Sequence, residues 1–462
     1  MTEEHARGGL SRRTVLTGAL GVGAGLALRD PLGRSLVALG DATGITGVAA
    51  AAIKPSTQPL LDGVTHWVDS IKDLVPGCSV ASFDRRARAE GTYAIGRRDL
   101  DGQLPFVPST IALIDSVTKQ LTTTMLAQAV SGGLGRNGPM TLDRKIKEYI
   151  EPYLSAYGLF VPKIVGDITL QQLADYTSGF YTRPFNEGPD APAYTLEEYA
   201  TWLSEVKAVG KDIPGEGLAV KPGSAYYYSD VACDLLGFIL SDQLYLQSSP
   251  GMPLYDPLLA QLLTGPLGMG DTTIYPPASE TDRVALGYLY DQLPPNPTFK
   301  KATKINKPAE FGGGGGNVRS TAIDMLKFLH ALVEPPPTQY LDKAIPLTSK
   351  VYFPGPGSVT GLGWDPIKTG EATVYLKNGG GAAGCTAQLG YSPETGRALF
   401  FVSNVGFATH DIQVIETFVD LLTQISPETS TSTTTSTSTS TTTTSPAAPP
   451  AVPVAASPSL TG

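Results

Sequence analysis

The chain has 462 residues, 41% of them hydrophobic, which is the composition of a globular protein with a substantial core. Its formal net charge is −9 and its pI lies near 5.1. An acidic chain without a long basic cluster is a poor match for nucleic acid or for anionic membrane surfaces, so neither is an expected partner.

Cysteine and histidine are few and show no metal-binding spacing. The three cysteines are Cys78, Cys233 and Cys385, and the four histidines are His5, His66, His330 and His410. The sequence therefore predicts no metal and no cofactor, and no histidine has a motif that would place it in a Ser-His-Asp triad. The cysteines are predicted to be buried small hydrophobic residues, with one disulfide among them as the alternative.

The N-terminal segment has the pattern of an export signal. Residues Ser11–Leu16 read SRRTVL, a twin-arginine-like start, and the apolar run Val15–Leu28 overlaps its end. That run is too short and too rich in glycine to be a good membrane span. We predict that residues 1–50 are an export signal and linker, and that the protein is periplasmic, in the cell envelope or extracellular, with no integral membrane span after signal removal. An ordinary secretion signal or a chance arginine pair is the alternative.

Hydrophobic periodicity predicts strands near both ends of the folded region and helices between them. The predicted strands are Gly77–Phe83, Gly91–Ile95, Thr373–Lys377, Thr386–Tyr391 and Ala398–Ser403. The predicted helices are Val64–Leu74, the helix after Ser116, Leu142–Tyr153, Thr169–Tyr176, Tyr194–Val206, Val231–Leu246, Leu254–Leu263, Ser320–Leu332 and Asp411–Gln424. This order predicts a mixed α/β (α+β) domain over residues 51–425. An antiparallel sheet from both chain ends is flanked by helices, and a mainly helical lobe forms a cleft with it.

Residues 426–462 differ in composition from the rest of the chain. Serine and threonine dominate as far as Ser445, and proline and alanine dominate after it. Such a segment cannot form a core and is predicted to be a disordered tail. It is either a stalk that contacts the cell envelope or a tail without function.

Ser116 and Lys119 form a Ser-x-x-Lys pattern at the start of a predicted helix, for which Asp115 is the predicted N-cap and Gly132-Gly133 the stop signal. Residues three apart share a helix face, so Lys119 is expected beside the Ser116 hydroxyl. A lysine placed there can help to remove the serine proton, and the helix N-terminus favours the oxyanion of acyl transfer. The alternative is an ordinary exposed pair, because so short a pattern arises by chance.

Two later stretches offer partners for Ser116. Tyr226–Ser229 reads YYYS before an apolar helix, and Tyr228 is the candidate whose phenol takes or relays the serine proton. The alternative is that the three tyrosines only pack against one another. Tyr375–Gly381 reads YLKNGGG, a strand whose end can bring a lysine charge to the serine. There the backbone N–H groups of Gly380 and Ser116 are the predicted oxyanion hole, and a glycine-rich hairpin is the alternative.

Five consecutive glycines, residues 312–316, precede the predicted helix at Ser320, which is its expected cap. They satisfy a nucleotide-binding pattern only trivially. Close backbone packing near a site is the favoured interpretation.

Ten stretches of the chain, from about Gly77 to about Asn404, follow one another in this order: VPGCSVASF, IALIDSVTK, TLDRKIKEYI, ITLQQLADYTSGF, KPGSAYYYSDVACDLLGFIL, GPLGMGDTTIY, GGGGGNVRSTAIDMLKFL, GLGW, KNGGGAAG and FFVSNV. In that order they resemble the serine hydrolases related to class C β-lactamases, D-Ala-D-Ala carboxypeptidases and the esterases that share their fold. The resemblance implies a β-lactamase/transpeptidase-like fold and acylation of a serine, followed by release of an amine or alcohol and attack by water.

The resemblance also implies roles for single residues. Ser116 matches the acylated nucleophile, Lys119 the lysine of the same motif, and Tyr228 the tyrosine of a Tyr-x-Asn motif. Residues 377–379 match a Lys-Thr-Gly strand end that holds substrate, so the expected substrate-binding residues are Asp230, Lys377, Asn378 and Gly379.

Two of these positions depart from the family pattern. Asp230 stands where the family usually has asparagine, and a carboxylate cannot donate a hydrogen bond to a substrate carbonyl. It could instead pair with Lys119 and keep that lysine protonated. Asn378 replaces a threonine or serine, which changes how a substrate carboxylate would be held.

We therefore expect an exported serine hydrolase that acts through an acyl-enzyme on Ser116. Its small-molecule or peptide substrates are amides or esters, such as D-amino-acid peptides of the cell wall, simple esters or β-lactams. The alternative is a non-catalytic binding protein that keeps the fold, a hypothesis that the Asp230 position favours.

Overall fold

The computed structural model describes residues 54–55, 60–181, 195–206, 209, 217–245, 255–302, 313–355, 358–381, 383–406 and 413–426. The predicted export signal lies outside the described residues, as do the tail from residue 427 onward, His5, His410 and the first glycine of the run at 312–316.

The strands are β1 Lys54–Pro55, β2 Gly77–Asp84, β3 Ala89–Asp99, β4 Leu104–Pro105, β5 Ala112–Leu113, β6 Tyr288–Gln292, β7 Thr298–Lys301, β8 Arg319–Ser320, β9 Phe353–Gly355, β10 Ser358–Thr360, β11 Asp365–Thr369, β12 Ala372–Gly381, β13 Cys385–Ser392, β14 Arg397–Ser403 and β15 Gln424–Ile425. The α-helices are α1 Leu60–Ser70, α2 Thr118–Gly132, α3 Lys147–Ala156, α4 Lys163–Gly166, α5 Leu170–Ala174, α6 Leu196–Glu205, α7 Asp230–Leu244, α8 Tyr255–Leu259, α9 Gly265–Leu267, α10 Ala322–Val333, α11 Leu341–Thr348 and α12 Val414–Leu422.

A seven-stranded sheet in the order β11-β12-β13-β14-β2-β3-β4 is built from both ends of the folded region. Every neighbouring pair in it is antiparallel. Strand β14 pairs with β2, Phe400 opposite Ala81, and so joins the C-terminal strands to the N-terminal ones. The predicted α/β fold with a sheet from both ends is confirmed. All five predicted strands are longer than predicted, most of all β3, which reaches Asp99, and β12, which reaches Gly381.

Alternating side chains of β14 belong to two different cores. Leu399 and Phe401 pack with residues of α1 and α12, whereas Phe400 and Val402 belong to the larger core shared with the helices on the other face. Because side chains alternate across a strand, a strand covered on both sides is apolar at every position. Truncating a fully buried phenylalanine such as Phe400 would cost about 3–5 kcal/mol.

The larger core continues from the sheet into a helical region formed by the middle of the chain, where α2, α5, α7 and α8 pack together. Strands β12 and β13 contact the turn Asp115–Val117, which runs directly into α2. Ser116 therefore lies where the sheet meets the helical region.

Local chemistry sets most helix ends, and it corrects some predicted boundaries. Thr169 and Thr195 form capping boxes with Gln172 and Glu198, and α2 ends at the left-handed Gly133, as predicted. The predicted cap at Ser320 is wrong, because Thr321 accepts the N–H of Asp324. The predicted helix Leu142–Tyr153 begins only at Lys147, after a turn.

Cys78, Cys233 and Cys385 are buried and unpaired, as the hydrophobic interpretation predicted. Within the described ranges, no helix combines the length and the apolar character needed to cross a membrane.

Candidate active site

Ser116 lies in a 3₁₀ turn, Asp115–Val117, that continues into α2. The predicted N-cap at Asp115 is wrong, because the turn includes that residue and no side chain caps it. Asp115 has φ +46°, in the left-handed region that aspartate tolerates better than most residues. Its Oδ1 lies 3.4 Å from Ser116 Oγ.

Three side chains meet at the Ser116 hydroxyl. Lys119 Nζ donates a hydrogen bond to Ser116 Oγ at 3.0 Å, and Tyr228 Oη donates to the same oxygen at 2.7 Å. Lys119 is fully buried, whereas Ser116 and Tyr228 are 7% and 6% exposed. The structure thus brings the three predicted catalytic residues together, at the N-terminal end of a helix where negative charge is favoured.

Tyr228 is positioned by the start of α7. Ser229 caps that helix by accepting the N–H of Ala232 at 3.1 Å, and it donates to the carbonyl of Tyr181 at 2.8 Å. The residue before the cap points to Ser116, while Tyr227 packs against Tyr181 with ring centroids 5.8 Å apart. Tyr226 and Tyr228 both pack against Tyr176, with ring centroids 5.6 and 5.2 Å from it. The packing hypothesis therefore holds for the rings, and the Tyr228 hydroxyl in addition reaches Ser116.

Lys119 is held by more than the serine. Its Nζ lies 2.6 Å from Asp230 Oδ1 and also donates to the carbonyl of Gly315. Burial disfavours the ammonium, but the Asp230 carboxylate, together with Tyr228 and Cys233, opposes burial, and the Lys119 pKa is raised well above 10.5. Burial also raises the pKa of the Tyr228 phenol, although Lys119 opposes it. Both groups that contact Ser116 Oγ are therefore protonated at neutral pH.

The glycine turn at residues 313–316 packs closely on the helices that carry the site. A β-carbon on Gly314 would lie 2.5 Å from the carbonyl of Cys233, so the predicted close packing is confirmed for these residues. Asp234 Oδ1 accepts the N–H groups of Gly313 and Gly315, at 3.2 and 2.8 Å. Burial and the nearby Asp230 raise the pKa of Asp234 to about 7.

The end of β12 lies directly against the Ser116 turn. A β-carbon on Gly379 would come within 2.9 Å of the Ser116 nitrogen and 2.5 Å of the Ile114 carbonyl, so only glycine fits there. Gly380 follows it, half-buried, and pairs with Thr386 across the sheet. Asn378 is half-buried and pairs with Gln388. The strand end and the Ser116 amide are thus adjacent, as an oxyanion hole requires.

Lys377 completes this side of the site and is 2% exposed. Its Nζ lies 3.7 Å from Asp365 Oδ2, 4.5 Å from the centre of the Tyr176 ring and 5.2 Å from that of Tyr228. Burial lowers the pKa of Lys377, and Asp365 opposes that effect.

Sequence reasoning missed four residues of this arrangement: Asp115, Tyr176, Asp234 and Asp365. The strongest available signal was at Asp365, which follows the GLGW stretch, and at Asp234, which lies one helical turn after Asp230. Tyr176 gave no signal, because its left-handed backbone, φ +59°, takes it out of the predicted helix. No set of His, Cys, Asp and Glu side chains in the described parts of the chain is arranged to hold a metal ion.

The fold and the Ser-Lys-Tyr cluster define a class, serine hydrolases with a β-lactamase-like fold, and known proteins agree with it. The D-alanyl-D-alanine-carboxypeptidase/endopeptidase AmpH of Escherichia coli K12 is 26% identical over 409 residues, 83% of this chain and 94% of the relative. A class C β-lactamase structure is 18% identical and superposes with a TM-score of 0.62 over 80% of this chain and 98% of its own. The D-alanine carboxypeptidase AmpC from Burkholderia cenocepacia is 21% identical, with a TM-score of 0.59 over 79% of this chain and 98% of its own.

The profile of the family described as Beta-lactamase matches residues 34–423. The chain belongs to this family and is a serine hydrolase. Membership favours an enzyme over the non-catalytic alternative.

Proposed function

We propose that this chain hydrolyses amides or esters through an acyl-enzyme on Ser116. The observation that carries the proposal is the pair of hydrogen bonds that Ser116 Oγ accepts from Lys119 and Tyr228, at 3.0 and 2.7 Å. A nucleophile, a proton-transfer group and a cation within hydrogen-bond reach of one another are the parts that acyl transfer needs.

In the proposed reaction, Ser116 Oγ attacks the acyl carbon and its proton passes to Tyr228. Tyr228 gives its own phenolic proton to the leaving amine or alcohol, so the phenol ends unchanged. The Lys119 ammonium stabilises the negative charge that develops on Ser116 Oγ, and the N–H groups of Ser116 and Gly380 stabilise the oxyanion. Water then attacks the acyl carbon, its proton passes to Tyr228 as Tyr228 gives its phenolic proton to Ser116 Oγ, and the bond between Ser116 Oγ and the acyl carbon breaks to release the acid.

The proposed substrates are D-amino-acid peptides of the cell wall, acyl esters and β-lactams. Support for peptides comes from the names of AmpH and AmpC, and support for β-lactams from the family itself. Asp230, Lys377, Asn378 and Gly379 are the proposed substrate-binding residues.

A fluorescent penicillin and a fluorophosphonate probe test the acyl-enzyme directly. We expect the wild-type protein to be labelled and Ser116→Ala to abolish labelling, with an unchanged thermal unfolding transition as the folding control. Labelling that persists in Ser116→Ala would contradict the assignment of the nucleophile. A folded wild-type protein that neither is labelled nor turns over substrate would support a binding protein instead.

We also propose that residues 1–50 direct export through a twin-arginine pathway and that the tail from residue 426 acts at the cell envelope. The SRRTVL stretch and the change of composition support these two proposals. Replacing Arg12 and Arg13 by lysine should retain the protein in the cytoplasm of the producing cell, as measured by fractionation. Export that is unchanged in this variant would contradict the twin-arginine hypothesis.

A further inference from the structure

Both lysines of the site already have a carboxylate partner. Asp230 lies 2.6 Å from Lys119, and Asp365 lies 3.7 Å from Lys377. In each pair the lysine is enclosed and the carboxylate is more accessible: the side chains of Lys119 and Lys377 are 0% and 2% exposed, against 22% for Asp230 and 44% for Asp365. A charged group that enters from solvent therefore meets negative charge before positive charge.

Lys377 has little room for a further anion. Its ammonium lies over the ring faces of Tyr176 and Tyr228, at 4.5 and 5.2 Å from their centres, and Asp365 occupies another side. A cation enclosed by two aromatic faces and one carboxylate has its charge largely compensated before a substrate binds.

Asp365 is held in place by a rigid segment. The preceding residue, Trp364, is fully buried and donates its indole N–H to Thr348 Oγ1 at 3.1 Å. The amide of Gly363 donates to the Ala174 carbonyl at 2.9 Å, next to the segment that carries Tyr176. The backbone at Asp365 is thus fixed, since β11 begins at that residue.

We propose that Asp365 is a specificity-determining residue that makes the site prefer, among its proposed substrates, esters and amides with no carboxylate close to the scissile bond. The strand end that carries Lys377 is the position at which the resemblance implies a bound substrate carboxylate. Here Asp365 occupies that cation, and Asp230 adds a second negative charge beside the nucleophile. Internal peptide bonds and neutral esters fit this site best, whereas a carboxylate there slows turnover without preventing it, so a penicillin still acylates Ser116. The inference rests on the proposed acyl-enzyme mechanism and names its substrate class.

Two matched esters test the inference: the phenylacetylglycyl esters of 3-hydroxybenzoate and of 3-hydroxybenzamide, which differ only in the charge of the leaving group. We expect the wild-type kcat/KM to be about tenfold higher for the neutral ester. Asp365→Asn should raise kcat/KM for the carboxylate ester about tenfold and change that for the neutral ester less than about threefold. Asp73→Asn, an equal change of charge at an exposed turn, is the control and should alter neither value.

Inhibition by 3-carboxyphenylboronic acid and 3-carbamoylphenylboronic acid gives a second measurement that does not depend on turnover. Asp365→Asn should strengthen inhibition by the carboxyl compound alone. The inference would be overturned if Asp365→Asn left unchanged either the ratio of kcat/KM between the two esters or the ratio of inhibition between the two boronic acids. A wild-type preference for the carboxylate ester would overturn it as well. Hydrolysis that survives Ser116→Ala would overturn the proposed mechanism instead. A protein that hydrolyses neither ester and binds neither boronic acid contradicts both.

Discussion

Two buried ion pairs of this molecule have very different surroundings. Arg397 and Asp84 face each other across β14 and β2 and are both fully buried, with Arg397 Nε 2.8 Å from Asp84 Oδ2. Their remaining groups are also paired. Arg397 donates to the Leu421 carbonyl and to Ser426, and Asp84 accepts the N–H groups of residues 86 and 87. This is a saturated pair with nothing left to offer a ligand.

Lys119 and Asp230 form a pair of the other kind. The lysine is shared among the carboxylate, the Gly315 carbonyl and Ser116 Oγ, and the Asp230 side chain keeps 22% of its surface exposed. Burial of a charge alone therefore does not mark a functional site. What distinguishes this pair is that one partner of the lysine is a nucleophile and that the carboxylate is open to solvent.

Removal of the Lys119 charge should affect catalysis more than any other change. Lys119→Met should lower kcat/KM by roughly 10³- to 10⁴-fold, because the developing charge on Ser116 Oγ loses its cation. Ester hydrolysis measures the loss, and thermal unfolding shows whether the variant keeps its fold. Activity within tenfold of the wild type would mean that the Lys119 ammonium is not needed for acylation.

The saturated pair should show the opposite response. Arg397→Met leaves Asp84 buried without its cation, and we expect a loss of about 3–5 kcal/mol in the free energy of unfolding. The kcat/KM of the protein that remains folded should not change. Denaturant unfolding measures the free energy of unfolding. Active-site titration gives the concentration of folded protein from which kcat/KM is calculated.

A double variant is the matched control for that pair. Asp84→Asn combined with Arg397→Met removes both charges and should recover part of the lost stability. Suppose instead that adding Asp84→Asn to Arg397→Met costs as much stability as Asp84→Asn costs in the wild type. The two charges would then not interact.

Much of the site could be predicted from the sequence, because it depends on local patterns, whereas the Arg397–Asp84 pair could not. Ser116 and Lys119 are three residues apart on one turn, and Tyr228 precedes a recognisable helix. Gly379 and Gly380 end a strand whose alternation is clear. The side chains that modulate charge could not be predicted in the same way. Asp365 reaches Lys377 through strand pairing, and Tyr176 reaches it through a left-handed backbone that no periodicity reveals.

The Asp230→Asn variant tests whether the Lys119–Asp230 pair slows the reaction. Asp230→Asn removes the carboxylate that competes with Ser116 Oγ for the Lys119 ammonium, so turnover of a β-lactam such as nitrocefin should rise by roughly tenfold. The substitution also lowers the Lys119 pKa. If Lys119 itself takes the serine proton, the acid limb of the pH–rate profile should move to lower pH; if Lys119 acts only through its charge, that limb should stay. Unchanged or lower turnover would contradict a restraining role.

Asp234 should affect only the pH dependence of stability. It shares features with the carboxylates of both pairs. Like Asp84 it accepts two backbone N–H groups, but burial and Asp230 raise its pKa to about 7. A carboxyl whose folded pKa lies above its unfolded value binds more protons in the folded state, so stability falls as pH rises from about 4 to about 7. Burial also raises the pKa of Asp115 to about 6, so this carboxyl too makes stability fall as pH rises over the lower part of that window. Between pH 6 and 7, where Asp115 contributes least, Asp234 causes a fall of about 1 kcal/mol, and Asp234→Asn should remove this fall together with the Asp234 share at lower pH. Unfolding free energies measured at pH 5, 6, 7 and 8 for both proteins check this, and parallel curves would show that Asp234 ionises like an ordinary, fully paired carboxylate.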